Sequence, residues 1–489
     1  MLTEKEKRYF NSTRPLVKTE VALVQQLVEK SGALTQPEEN TIRYAINLAK
    51  IGPFRIPSGE DIDLFEELTP FRRKVVELLS SAMGPSFRDP DYISLVRLVP
   101  QLQDEILIAR YMLMDNHADK FGEDHLDDEV CNKRLVSVAG GGGGSGTVYV
   151  GAYRLLEDHG IKPSYIVGSS IGSIIGSMRA YFTDFDLALI GREISRAGIS
   201  MADVLMLRPP ATQSHFGLPA AIRLELYPVA EKLFRGLGKD IPTFDDMPIP
   251  FHAVVAGIKR GRLKHNIDYY AAGSSAPKIT DKGTIKIRPG TIMWYFKSIN
   301  SILREFSNPD TLVEVVFGRD EPTDKLKVVD GVGFSCAIPA VLNYDIFRYD
   351  PDTAKRMKEL MENNDLVSLV DGGAVNNVPS RVAWESVYRG VIGSRNAFIL
   401  AFDSFSPQLN GNILFVPAQR LLQRNVRANL QFSTYTKVFG SVPNPLRLIG
   451  RTKTMLRQFN RGTTDLTPEL PFIHRMLKSL KGPRERFGA

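Results

Sequence analysis

Apolar residues recur three and four positions apart through the first 130 residues, in "VALVQQLVEK", "TIRYAINLAK", "FRRKVVELLSSAM" and "YISLVRLVPQLQDEILIARYMLM". That spacing collects them on one helix face and predicts a helical N-terminal region over 1–130. Turn-rich "IGPFRIPSGED" and "GPSFRDPD" separate the helices. From Lys133 the pattern changes to short β-rich runs alternating with helical ones: "RLVSVA", a helix through "VYVGAYRLLEDHG", then "SYIVG", then "SIIGSMRAYF". Such alternation predicts βαβ units and a mainly parallel sheet, the α/β class. The runs "PFHAVVAG", "LKVVD", "LVSLVD" and "NAFILAF" can supply further strands, giving a second domain over 131–410. Near 266–325 a long stretch reads as an insertion. It sets Met293, Trp294, Tyr295 and Phe296 beside basic residues, a mix that suits a membrane boundary as well as buried packing.

Charge separates a third segment, 411–489, predicted to be basic and helical. From Gln419 to Ala489 there are 14 Lys/Arg against 3 Asp/Glu, while the whole 489-residue chain carries a net +7. Such a segment could meet an anionic lipid surface, at about 1 kcal/mol per basic residue, and a solvated helical face is an equal reading. No nucleic-acid module is recognisable, so no specific nucleic-acid partner is expected. No apolar run approaches the roughly 20 residues of a membrane span, and the charged start "MLTEKEKRYFNSTRPLVKTE" has no apolar core of a signal peptide. Cys131 and Cys336 are the only cysteines and lack the spacing of a metal site. A cytoplasmic location follows, with peripheral membrane association, and no metal or cofactor is expected. Oligomeric state is left open.

Five glycines at 140–144, then Ser145 and Gly146, follow the first strand and open a helix. A strand, a bare turn and a helix N-terminus make an anion-binding corner. A P-loop would end in Gly-Lys-Ser/Thr, and the lysine is missing here. A dinucleotide fold could read Gly141, Gly143 and Gly146 as G-x-G-x-x-G, but it needs an acid at the end of the second strand. That place holds Gly168-Ser169-Ser170-Ile171-Gly172 instead, a G-x-S-x-G between strand and helix. This is the context of a nucleophile elbow, whose flanking glycines, Gly168 and Gly172, allow a tight turn that projects Ser170. A base is harder to find. The seven histidines are His117, His125, His159, His215, His252, His265 and His474, and none lies in a recognisable motif. In "SLVDGGAVNNVPS" an apolar strand ends in Asp371, with Gly372 and Gly373 behind it; a turn or a helix cap is the alternative there.

The blocks "GGGGGSGTVYVGAYRLLEDHGI", "YIVGSSIGSIIGS", "GFSCAIPAVL" and "LVDGGAVNNVPS", in that order, resemble the patatin-like phospholipases over about 133–403. The resemblance implies a three-layer α/β/α sandwich and a lipid acyl hydrolase without a metal cofactor. Ser170 would be the nucleophile and Asp371 its partner in a Ser-Asp dyad that uses no histidine. Gly142, Gly143 and Gly144 are the candidate oxyanion-hole donors, and a phospholipid or other acyl-ester lipid is the expected substrate, by a phospholipase A or lysophospholipase type of cleavage. The family's glycine turn usually carries Arg or Lys where this chain has Ser145. That departure motivates the alternative reading, a catalytically weak or inactive relative acting as a lipid-binding module.

Overall fold

The computed structural model describes residues 2–84, 90–198, 201–207, 216–220, 222–263, 278–279, 285–286, 308, 310–339, 342–405, 426–440 and 452–482. The N-terminal region forms five helices: α1 (Glu4–Glu29), α2 (Gln36–Ala49), α3 (Thr69–Met83), α4 (Tyr92–His117) and α5 (Glu123–Cys131). Thr3 with Glu6, and Thr35 with Glu38, make capping boxes that fix where α1 and α2 begin. The apolar stripes meet one another in a core containing Leu23, Ile42, Leu64, Leu79 and Leu102, separate from the sheet. "IGPFRIPSGED" closes a small antiparallel hairpin, Pro53–Arg55 with Asp61–Asp63.

Among the described residues the central sheet has seven strands: β1 (Arg134–Ala139), β2 (Tyr165–Ser169), β3 (Phe251–Lys259), β4 (Leu312–Phe317), β5 (Leu366–Asp371), β6 (Ala397–Asp403) and β7 (Tyr435–Val438). Their order is β4-β3-β2-β1-β6-β7, with β5 also paired to β3. Pairing is parallel from β3 through β7 and antiparallel where β4 and β5 join β3. Side chains alternate across the sheet with a period of two. Leu135, Ala139, Leu400 and Phe402 face one side, beneath α6 (Val148–Asp158) and the C-terminal α10 (Thr452–Leu466) and α11 (Leu470–Leu477). Val136, Val138, Ile399 and Ala401 face the other, beneath α9 (Ser380–Tyr388). Helix, sheet and helix give the three-layer α/β/α sandwich. α7 (Ile171–Tyr181) and α8 (Val328–Ser335) complete the first layer over Ile166, Ala253 and Phe317.

"LKVVD" is not a strand; its Val328, Val329 and Asp330 open α8. A lone pair of β-branched residues carries little strand preference, and the Asp330 carboxylate is buried and held by both Arg348 guanidinium nitrogens at 2.8 and 2.6 Å. Most of 266–325, with the Met293–Phe296 cluster, lies outside the described residues, and the described end of that stretch is β4. Of 411–489, the described parts supply β7, α10 and α11. No helix of the described residues is long and apolar enough to cross a membrane.

One register positions everything that follows. β2 runs parallel to β3 as far as Ser169 opposite Val254. Along the same edge of β3, β5 runs the other way and ends with Asp371 opposite Val255. The two C-terminal strand ends therefore abut on neighbouring residues of β3.

Candidate active site

Ser170 follows β2 directly and caps α7 with φ +52° and ψ −129°, a left-handed conformation that a residue with a Cβ adopts rarely. Such a backbone stores roughly 1–3 kcal/mol and persists only where its surroundings hold it. The Ser170 N–H donates to Ser335 Oγ at 2.9 Å, and the Ser335 hydroxyl donates to Val254 O at 2.6 Å. On the other side, the Ser173 N–H and hydroxyl both donate to Ser170 O, at 2.8 and 2.6 Å. Gly172 makes the turn possible in space: a Cβ there would stand 2.1 Å from Ala139 O.

The result is a hydroxyl aimed at Asp371. Ser170 Oγ donates to Asp371 Oδ2 at 2.6 Å, and the Gly373 N–H donates to Oδ1 at 2.7 Å. Both side chains are buried, each 7% exposed. Burial pushes the Asp371 pKa up to about 6, against the lowering effect of the hydrogen bonds from Ser170 and Gly373. The carboxylate is thus ionised at neutral pH and is a stronger proton acceptor than a solvent-exposed aspartate.

The glycine run divides in two. Gly140 and Gly141 already donate their N–H groups, to Phe402 O at 3.0 Å and Asn377 O at 2.9 Å. Gly142 stands ahead of a 3₁₀ turn, Gly143–Thr147, that has no side-chain cap. The first amides of such a turn have no partner inside it and are open to a ligand oxygen. Gly143 adopts φ +54°, which glycine alone takes without strain. The run lies against the elbow, since a Cβ at Gly141 would be 3.2 Å from Ser170 Cβ.

Ser145 is fully buried, its hydroxyl 2.6 Å from Gly142 O and 3.0 Å from Ser404 O. At the usually basic position this chain thus carries a staple that fixes the turn and no charge. Arg179, at the far end of α7, pairs with Glu157 at 2.8 Å and lends none. Among the described residues no histidine hydrogen-bonds Ser170 or Asp371, while His215 and His265 lie outside them. Burial, with Arg319 beside it, pushes the His252 pKa down to about 3, so that ring is neutral and contacts Tyr165. Burial also pushes the Cys336 thiol well up, which keeps it a thiol beside Ser173.

Two residues that hold the site were not singled out in the sequence. Ser335 lies inside the quoted block "GFSCAIPAVL", and Asn377 inside "DGGAVNN". Asn377 bridges the glycine run through its backbone, and its Oδ1 would be 3.0 Å from a Cβ on Gly373. A serine and an asparagine in a motif carry no local mark of such a role.

Residues 137–384 match the family model described as Patatin-like phospholipase. The chain is also similar to lysophospholipase NTE1 of Mycosarcoma maydis, 28% identical over 188 residues, which is 36% of this chain and 9% of that protein. Lysophospholipase nte1 of Aspergillus niger is 29% identical over 179 residues, 34% of this chain and 11% of that protein. In Coccidioides immitis, lysophospholipase NTE1 is 29% identical over 149 residues, 30% of this chain and 9% of its own length. The matches thus span about a tenth of the length of these curated relatives.

Proposed function

The chain belongs to the patatin-like phospholipase family, and from that membership we propose that it is a serine lipid acyl hydrolase of phospholipase A or lysophospholipase type. The observation that carries the reading is Ser170 Oγ, projected from a strained turn and bonded to Asp371 Oδ2 at 2.6 Å. Asp371 takes the hydroxyl proton as Ser170 Oγ attacks the ester carbonyl carbon, and a tetrahedral intermediate forms with its oxygen negatively charged. The amides of Gly142, Gly143 and Gly144 are the donors for that oxygen; one such donor is worth about 2.7–4 kcal/mol. Collapse of the intermediate expels the alcohol, which takes the proton from Asp371 and leaves an acyl-Ser170. Water, deprotonated by Asp371, then releases the fatty acid.

Ser145 brings no charge to that oxygen, so among the described residues its stabilisation rests on these amides. The basic C-terminal segment is the proposed contact with an anionic membrane surface, resting on its 14 Lys/Arg against 3 Asp/Glu. The test is fatty-acid release from liposomes with and without anionic lipid, beside covalent labelling by a fluorophosphonate. Ser170→Ala and Asp371→Asn are each expected to abolish release from a folded protein, and Ser170→Ala to abolish labelling. Full release by either variant refutes the mechanism, and wild-type protein that neither labels nor releases fatty acid favours the lipid-binding module. Release indifferent to anionic lipid refutes the docking role.

A further inference from the structure

We infer that the apolar groove between α7 and α8 holds a single unbranched acyl chain, with the ester end at Ser170. Its orientation rests on the reading of Ser170 as the acylated residue; its occupancy does not. Both helices that form the walls have an end at that serine, and the lining begins one turn away, at Ile174 and Val332. α7 begins directly after it, and α8 ends at Ser335, whose oxygen accepts the Ser170 N–H. From there Ile174, Met178 and Tyr181 line one wall on successive turns, and Val332 and Val328 line the facing wall. The lining begins at Ile174, four residues past Ser170, and at 1.5 Å per residue α7 reaches Tyr181 about 16 Å from Ser170. That length suits a medium-length acyl chain.

The roof is the helix Leu226–Gly236, which sets Leu233 and Phe234 over the groove. None of its residues is fully buried, so it rides on the groove with no tightly packed face of its own. Beneath it lies a cavity of about 160 Å³. Ser177 lines the cavity too, but its hydroxyl donates back to Ile174 O at 2.9 Å. A lining that leaves polar groups so few partners receives hydrocarbon in preference to a head group. At the far end the Tyr181 ring meets Phe234 edge-on, centroids 4.9 Å apart, and Lys239 Nζ lies 5.6 Å from the Tyr181 ring. The apolar path ends there, which sets an upper limit on chain length.

Occupancy is read without turnover by titrating a fluorescent dodecanoyl probe into full-length Ser170→Ala protein. Leu233→Trp fills the groove from the roof and Met178→Trp from the wall. Each is expected to weaken probe binding at least tenfold with Tm close to that of the parent. In the serine-intact chain the same substitutions should depress dodecanoyl-ester hydrolysis at least tenfold relative to butyryl-ester hydrolysis, because the short chain ends before the filled positions. Leu233 is only half-buried, so its variant keeps the test open if Met178→Trp fails to fold. Probe binding unchanged by groove filling overturns the assignment. Probe binding that groove filling abolishes, in a protein that hydrolyses neither ester, upholds the groove and overturns the Ser170 reading instead.

Discussion

At the scale of single residues, the carboxyl of Asp371 has opposite effects on chemistry and stability. Its ordinary pKa of 3.8 rises to about 6 on burial, so the folded chain binds this proton more tightly than the unfolded one. The sign follows from linkage: the favourable contribution is complete below about pH 4 and is lost as pH rises through about 6, on the order of 3 kcal/mol. Asp371→Asn keeps the bond from the Gly373 N–H on its oxygen, can donate from its NH2 to Ser170 Oγ in place of accepting, and never carries the buried charge. Its Tm should exceed that of the wild type near pH 8, with the gap closing toward pH 4, as followed by calorimetry. Under the proposed mechanism turnover has the reverse dependence, because Asp371 can act as base only when ionised. The kcat/KM of the wild type should climb with pH to a plateau, with a midpoint at about 6. A flat profile across that range would remove Asp371 from the role of base.

At the scale of elements, the turn joining β2 to α7 is set by close backbone approach. Gly172→Ala places a methyl 2.1 Å from Ala139 O and should cost about 1–3 kcal/mol of stability, measured by urea unfolding, with loss of fluorophosphonate labelling. The elbow was legible in the sequence because its chemistry is local: strand, G-x-S-x-G and helix are contiguous. The alternating runs of β1, β2, β3, β5 and β6 were legible for the same reason. α8 was not, because what makes "VVDGVG" helical is the burial of Asp330 against Arg348 and Tyr344, 18 and 14 residues away. β4 was hidden in a stretch read as an insertion, since its place is set by pairing along β3 and not by its neighbours in the chain. Ser335 belongs to the same class: its role exists only once α8 lies beside the elbow.

At the scale of the whole molecule, the N-terminal helices are joined to the α/β domain by buried charge. Glu20 accepts from Lys133 Nζ at 2.6 Å and from Arg43 Nε at 3.3 Å, and burial of the carboxylate is overcome by these cations and Lys50, which hold its pKa far below the usual range. Arg43 also donates to the carbonyls of Arg475 and Met476 at 2.8 and 2.9 Å, so α11 is clamped to α2. Glu20→Ala leaves two buried cations without that partner and should cost about 3–5 kcal/mol, read as a fall in Tm with faster amide exchange in α1 and α2. No local pattern announces a pair 113 residues apart, and the helical region could be read from sequence only as a separate block. The abutting ends of β2 and β5 have a consequence in time as well as space. Ser170 and Asp371 are 201 residues apart, and each is delivered to the other only by its own pairing with β3. A nascent chain that has not yet produced residue 371 holds a serine with no acceptor for its proton. Under the proposed mechanism, hydrolytic competence therefore arrives late in synthesis, once β5 has paired with β3.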